Sequence, residues 1–208
     1  TSNETRGAVY DRQTLDEEIN VGLTPALDLP GGSWIQAGLS HSYWNHQYLS
    51  DQRNDSANDS YDQAVENLTE TNLQYNLPLD SSSQLITVGI DGLHQRITSD
   101  RLQNGRGSRS RISPFAQTEW TPLDDTYLAI VPGVRADFDT QYGTALSPKV
   151  SVRFDPFDSL ALRLGGGQGF RAPDFNQTLL YFENPTVGYR VVGGGQDLKP
   201  EYSLSANV

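Results

Sequence analysis

The sequence predicts an all-β fold, an antiparallel up-and-down sheet with one apolar face and one polar face. Apolar and polar side chains alternate with a period of two along most of the 208 residues, which places them on opposite faces of a strand. Short turns alternate with generally longer loops, so the two ends of the predicted sheet differ. No stretch of useful length has the period of a helix.

The N-terminal half supplies four predicted strands. Residues 1 to about 11 are expected to form a polar loop. The turns at 28–33 and 78–83 are rich in Pro, Gly, Ser and Asp, which favour turns. Between the turns and loops, in chain order, the strands are predicted over 19–27, 34–49, 63–77 and 86–99.

The C-terminal half supplies five more strands, predicted over 112–121, 128–138, 146–154, 160–170 and 201–208. Their alternation separates an apolar set from long cations. We expect one face to carry Leu128, Ile130, Val134, Val150, Val152, Phe154, Leu160, Leu162 and Leu164. The opposite, water-facing side is expected to carry Arg135, Lys149, Arg153 and Arg163. These cations could attract an anionic ligand, or they could form a charge-balanced ladder on a hydrated wall.

The composition excludes several classes of function. The formal net charge is −11, and contacts to phosphates supply most nucleic-acid affinity, so we expect no nucleic acid as a partner. The sequence has no Cys, which excludes disulfides and thiolate metal sites and suits passage through an oxidising periplasm. No run of 18 apolar residues predicts a transmembrane helix. The strands of a membrane barrel need an apolar residue only at every second position.

The segment 147–203 carries the most specific pattern. A strand ends in GFRAP at 169–173, a long loop with several aromatic residues follows, and DLKPE at 197–201 precedes the next strand. Together with the stretch FENPTVGYRVVGGGQDLKPE, this pattern resembles the β-barrel of TonB-dependent outer-membrane receptors. Short turns at one end of the sheet and longer loops at the other are also typical of outer-membrane barrels.

The resemblance implies a transmembrane β-barrel of about 22 strands around a plug. About nine strands cannot close such a barrel, and the sequence has no initiating Met. We therefore expect residues 1–208 to be a partial β-barrel domain, a section of the wall without the plug domain and the remaining strands. The implied location is the bacterial outer membrane.

The function implied by the resemblance is TonB-dependent, energy-coupled uptake of a scarce solute such as an iron–siderophore complex or cobalamin. The implied partners are that ligand, the plug of the same receptor, a TonB-type coupling protein and outer-membrane lipid. Two other readings stay open: a non-transporting structural or adhesive outer-membrane barrel, and a soluble β-sandwich or small ligand-binding barrel. We expect no enzyme and no cofactor, because none of the three His lies beside a plausible Ser and Asp set.

The candidate ligand-binding residues fall into two groups. Trp44, His46 and Tyr48 point inward by parity and lie at the loop end of their strand. The other four belong to the GFRAP segment and the long loop: Arg171, Tyr181, Tyr189 and Arg190. Aromatic side chains offer a large amphipathic contact area, which suits ligand capture. The aromatic residues of the loop could instead form an interfacial girdle or pack the loop itself.

Two further motifs favour a structural reading. The loop between Asp51 and Asp62 is rich in Asp but lacks the central Gly and terminal Glu of an EF-hand, so a solvated loop is expected rather than a calcium site. The glycine triplets 165–167 and 193–195 do not precede a helix, so neither is expected to bind phosphate. We expect no metal site.

Overall fold

The computed structural model describes most of the chain, with short gaps in the connections. Described are residues 9–53, 56, 59–79, 83–123, 127–184, 189–192, 195 and 197–208, with the backbone alone for 182–184 and 189–192. Within that part, no helix is long and apolar enough to cross a membrane.

One antiparallel sheet contains almost all the described strands. Its main path has nine strands in chain order: β1 (Tyr10–Leu23), β3 (Trp34–Gln52), β4 (Ser60–Leu79), β5 (Gln84–Ser99), β6 (Arg106–Trp120), β7 (Tyr127–Asp139), β8 (Gly143–Phe157), β9 (Leu160–Arg171) and β12 (Glu201–Asn207). The short β2 (Ala26–Asp28) pairs with β3 beside β1 and makes this a ten-stranded sheet. The prediction of an antiparallel, up-and-down, all-β fold is confirmed.

The long connection between β9 and β12 has structure of its own. It contains the helix α1 (Phe175–Leu179) and a separate hairpin of β10 (Tyr181–Asn184) and β11 (Tyr189–Val192). Asp174 caps the helix: the Gln177 backbone N–H donates to its carboxylate at 2.8 Å, and the Gln177 side chain accepts from the Asp174 N–H at 3.0 Å. Such a reciprocal pair satisfies two helix-end donors that lack a partner within the helix.

Several strands extend further than the sequence predicts. The ladder of β4 begins at Ser60 and that of β6 at Arg106, within stretches expected to be loops. The connection between the strands predicted over 128–138 and 146–154 shrinks to 140–142. The difference between the two ends of the sheet therefore rests mainly on the long connection 172–200. Polar residues at the ends of these strands continue the hydrogen-bonded ladder, so composition alone did not distinguish them from loops.

The register confirms the predicted faces. Val152 pairs with Ile130 on one side and Leu164 on the other, whereas Arg153 pairs with Ala129 and Arg163. Directly opposite residues of an antiparallel pair share a face, so apolar residues meet apolar residues across the strands. We call the two sides the apolar face and the polar face. Half of the Leu164 side chain is exposed on the apolar face.

A network of buried and partly buried charged side chains lies on the polar face. Asp137, 4% exposed, accepts a hydrogen bond from Ser113 Oγ at 2.6 Å and one from Arg135 Nε at 2.9 Å. Arg111 Nε lies 3.6 Å from the same carboxylate. Arg135 also binds Asp91, which accepts a further bond from Asn72 Nδ2 at 2.5 Å. The network ties four neighbouring strands together, β4 to β7.

We predict that Asp137→Asn destabilises the receptor that contains this wall. The change leaves Arg111 and Arg135 partly buried without their shared counter-charge, which we expect to cost about 2 kcal/mol, below the value for a fully buried pair because both guanidinium groups retain some solvent. Thermal unfolding in detergent, followed by circular dichroism, measures the effect. Asp155→Asn is the control, because the Arg153–Asp155 pair is more exposed and should change the unfolding temperature little. Equal shifts for both variants would contradict the assigned role of the network.

Candidate ligand-binding site at the loop end of the wall

Three aromatic residues form a column on the polar face of β3. Trp44, His46 and Tyr48 occupy alternate positions, so they share that face. The rings of Trp44 and His46 are stacked, with centroids 5.3 Å apart and an interplanar angle of 18°. They lie toward the end of β3 from which the chain passes into the loop before β4. The orientation predicted by parity is confirmed, and we call the three the β3 aromatic column.

Charged neighbours contact the middle and upper residues of this column. His46 Nδ1 lies 2.6 Å from Asp16 Oδ1 on β1. The guanidinium of Arg101 covers the Tyr48 ring at 5.5 Å from its centroid, a cation–π contact. Arg101 is itself held by Asp62, with 2.7 Å between Nη2 and Oδ2. These contacts restrict the orientation of the His46 and Tyr48 rings.

The start of the long connection folds back onto the polar face. Phe175 and Leu179 of α1 join Ile97 and Leu102 in a buried apolar cluster. Gly107 permits this contact, because a Cβ at that position would lie 2.7 Å from a ring atom of Phe175. Phe175, one of the aromatic residues of the loop, therefore packs the connection against the wall. For this residue the packing alternative is the right one.

Arg109 strengthens the same attachment. Its Nη2 donates to Gln95 Oε1 at 2.7 Å, and its guanidinium lies 5.9 Å from the centre of the Phe175 ring. Its Nε lies 4.0 Å from Oδ2 of Asp139, whose side chain is fully buried. Close by, burial in the connection 140–142 raises the pKa of the Tyr142 phenol.

Backbone hydrogen bonds bring Tyr181 to the aromatic column. The Tyr181 N–H donates to the carbonyl of Arg101 at 2.7 Å, and the Gln103 N–H donates to the carbonyl of Leu179 at 2.8 Å. These bonds place the backbone of Tyr181 beside that of Arg101, whose guanidinium covers the Tyr48 ring. Four of the seven candidate residues, Trp44, His46, Tyr48 and Tyr181, belong to one region of the wall.

Arg171 lies elsewhere on the polar face. It ends β9, and its Nη1 is 3.6 Å from the Glu201 carboxylate at the start of β12. Both side chains are exposed. The path from β3 to β9 crosses six strand spacings, about 29 Å along the sheet at about 4.8 Å each. Arg171 joins the GFRAP and DLKPE segments and is not part of the aromatic column.

The remaining candidates and motifs are placed only in part. Tyr189 and Arg190 pair with Asn184 and Glu183 in the β10–β11 hairpin, and their side chains lie outside the described residues, as do Asp55, Gly193 and Gly194. Among the described residues no group of three His, Cys, Asp or Glu could hold a metal ion. Asp62, at the end of the Asp-rich loop, binds Arg101. The triplet 165–167 lies within β9 and pairs with β8 and β12, so it is not a loop.

Comparison with known proteins decides the family. The family model described as TonB dependent receptor-like, beta-barrel, matches residues 2–208. The chain belongs to this family. It is a part of the β-barrel of a TonB-dependent receptor, located in the bacterial outer membrane. Because a membrane barrel turns its apolar band outward to the lipid, we assign the polar face to the interior.

Curated relatives are longer outer-membrane proteins. The iron-regulated outer membrane virulence protein of Vibrio cholerae serotype O1 is 27% identical over 184 residues, 84% of this chain and 25% of that protein. The ferrienterobactin receptor of Escherichia coli strain K12 is 28% identical over 153 residues, 67% of this chain and 20% of that protein. The chain therefore spans a quarter or less of these relatives.

Solved structures show the same fold. The siderophore receptor PirA of Acinetobacter baumannii superposes with a TM-score of 0.71 at 18% identity, covering 93% of this chain and 32% of that one. A ferric enterobactin receptor (PfeA) mutant of Pseudomonas aeruginosa gives a TM-score of 0.60 at 18% identity, covering 83% of this chain and 31% of that one. At this identity the likeness establishes the fold of the wall.

We predict that Gly107→Val detaches the start of the long connection from the wall. The added side chain occupies the position of the Phe175 ring, so α1 must move and the bonds at Gln103 and Tyr181 should open. Hydrogen exchange measured by mass spectrometry in the intact receptor should then be faster for peptides covering 101–105 and 175–181. Gly166→Val is the control, because its Cβ would have no neighbour nearer than 3.6 Å. Unchanged exchange in the Gly107 variant would refute this attachment.

Proposed function

We propose that the receptor containing this wall binds a metal chelate of the siderophore class and takes it up across the outer membrane. The observation that carries the proposal is the β3 aromatic column on the interior face, with Tyr181 of the long connection fastened beside it. This is a surface open to the barrel interior, built from large side chains whose orientation is set by hydrogen bonds and ion pairs.

The chemistry of the column fits a chelate with planar, partly apolar groups. Trp and Tyr bury a large area at a low cost in conformational entropy, and Tyr and His also offer polar atoms. Aromatic and Arg anchors commonly dominate binding energy. Relatives described as a ferrienterobactin receptor and as siderophore receptors support a siderophore over cobalamin, which stays the alternative ligand.

The candidate residues would act as two groups. Trp44, His46, Tyr48 and Tyr181 would form one contact surface on the β3 side. Arg171, with Tyr189 and Arg190 of the β11 hairpin strand, would approach the ligand from the GFRAP side. A ligand held between the two would contact the wall and the long connection together.

The family also implies the partners of the uptake reaction. We propose a plug domain of the same receptor and a TonB-type protein that couples uptake to energy, both supplied by parts outside this chain. The apolar face would lie in outer-membrane lipid, since an apolar band facing outward is what a membrane barrel requires. A receptor role requires neither a catalytic group nor nucleic acid.

We predict that Trp44→Ala with Tyr48→Ala weakens chelate binding at least tenfold, because single aromatic anchors commonly contribute about 2 kcal/mol. Ferric enterobactin, ferrichrome and cobalamin serve as probes, titrated against the full-length receptor in detergent. Tyr43→Ala with Leu49→Ala is the matched control: these residues adjoin the variant positions but lie on the apolar face of β3. The Tyr189→Ala, Arg190→Ala variant tests the second group in the same way.

Uptake is measured separately with the same variants. Accumulation of radioactive iron by cells should require both the receptor and the coupling protein. A receptor that binds none of the three probes and leaves iron-limited growth unchanged when deleted would contradict the proposal and favour a structural or adhesive barrel. Loss of binding in the control variant to the same degree would contradict the assigned site.

A further inference from the structure

Carboxylates flank the β3 aromatic column on both sides. Acidic residues occupy four of the six positions directly opposite its three rings: Asp16 and Glu18 on β1, and Asp62 and Glu66 on β4. Trp44 lies directly between Glu18 and Glu66. Because directly opposite residues of an antiparallel pair share a face, these carboxylates stand on the polar face together with the rings.

The two glutamates beside Trp44 have neutral partners only, among the residues that the structure describes. Glu18 Oε1 accepts from Asn20 Nδ2 at 2.7 Å, and Glu66 Oε1 accepts from Gln95 Nε2 at 2.6 Å. An amide donor satisfies a carboxylate oxygen but leaves its negative charge in place. Trp44 therefore lies between two negative charges that no ion pair neutralises.

The cations of the β3 side do not offset these charges. Arg101 forms its ion pair with Asp62 at the upper end of the column. Arg12, also on the polar face of β1, lies six residues from Glu18, about 20 Å along the strand. With His46 counted as neutral, the four carboxylates and Arg101 leave a formal charge of −3 around the column.

The attached long connection borders the same place on the β4 side. Glu66 lies in register beside Ile97, which is buried in one cluster with Phe175 of α1. Arg109 is linked to Glu66 only through the Gln95 amide, which accepts from Arg109 Nη2 at 2.7 Å. Glu66 is half-buried, and water screens a half-buried charge less than an exposed one.

The stack of the column leaves one face of the Trp44 ring to a ligand. His46 covers the other face, and Asp16 holds the His46 ring in that position. The residue two positions before Trp44 is Ser42, whose small side chain donates to Asn20 Oδ1 at 2.5 Å and cannot cover an indole ring.

We propose that the β3 aromatic column receives the positively charged part of its ligand, a protonated amine carried by the metal chelate, and that Glu18 and Glu66 select for it. The face of a Trp ring attracts an ammonium group, and a carboxylate on either side adds to the attraction. The same charges repel an anionic chelate. The inference rests on the proposed uptake of a chelate and specifies the charge of the ligand at that site.

The arrangement fits an organic cation better than a bare metal ion. Because β3 separates Glu18 from Glu66, their backbones are two strand spacings apart, about 10 Å. In the described part of the chain no group of three His, Cys, Asp or Glu could hold a metal ion. An ammonium group requires no shell of oxygen ligands, since a ring face and nearby negative charge are enough to bind it.

The test compares two chelates that differ by a single charge. Ferrioxamine B is an iron trihydroxamate with a free primary amine, which is protonated at neutral pH, and acetylation of that amine removes the charge. Both forms are titrated against the full-length receptor in a neutral detergent, with ferric enterobactin as the anionic chelate. The wild-type receptor should bind the amine form about tenfold more tightly than the acetylated form, and this ratio should fall as the salt concentration rises.

The variant E18Q/E66Q should lose about tenfold in affinity for the amine form and much less for the acetylated form, because only the amine form carries the charge. E18D/E66D keeps both charges and should lose less. The control E70Q/E119Q removes the same charge from the polar face nearer the short turns and should leave the ratio unchanged. The altered gel mobility of the unheated barrel checks that each variant is folded, and the single variants replace the double variant if it is not.

Three results would overturn this inference while uptake of a chelate stands. They are equal affinity of the wild-type receptor for the amine and acetylated forms, tighter binding of ferric enterobactin than of ferrioxamine B, and an equal loss in the control variant. Binding of none of the chelates would overturn the proposed function, and the inference with it.

Discussion

The strict alternation of side chains along a continuous hydrogen-bonded ladder is the constraint on which this wall depends. In hydrocarbon each unsatisfied backbone N–H or C=O costs several kcal/mol, so the strands must stay paired throughout the membrane. A register slip of one residue would turn every side chain of a strand to the other face. It would place Arg153 where Val152 now meets Ile130 and Leu164. As a consequence, apolar residues pair with apolar residues and polar residues with polar residues across neighbouring strands.

The same constraint reverses the usual location of buried residues. In a soluble domain the apolar side chains form the core, whereas here many large apolar side chains are exposed on the apolar face, and the buried apolar cluster around Phe175 is small. Ser113 is completely buried, and Asp137 beside it binds two arginines. The interior face therefore combines stability and function: the charge network ties β4 to β7, and the aromatic column and the attachment of α1 occupy the loop end of that same face.

What the sequence predicted follows from this periodicity. The sequence alone was enough to predict the antiparallel fold, the two faces, the orientation of Trp44, His46 and Tyr48, and the family. The reason is that the alternation of side chains and the GFRAP and DLKPE segments are local signals. The ion pair of Arg101 with Asp62 was not predicted, because the alternation that assigns a strand residue to one face does not apply to a residue in a loop. The packing of Phe175 was not predicted either, since only the folded chain brings it onto Gly107.

Strand ends were underestimated for a related reason. Above the apolar band both faces are polar, as at Ser60–Asp62 and Arg106–Ser110, so alternation disappears while hydrogen bonding continues. Arg106 lies in such a region. It looks like a loop cation in the sequence, and only the register, in which it pairs with Thr98, shows that it shares a face with His94 and Ser110.

The assignment of faces is tested most directly by spin labels at neighbouring positions of one strand. The 208 residues contain no cysteine, so Val152→Cys and Arg153→Cys each introduce a single label site in this part of the receptor. In the reconstituted receptor the label at 152 should collide mainly with oxygen from the lipid, and the label at 153 mainly with a water-soluble nickel chelate. On the neighbouring strand, a label at Arg163 should collide mainly with the nickel chelate, and a label at Leu164 mainly with oxygen. Equal accessibility at the paired positions, or an exchanged pattern, would contradict the two-faced wall.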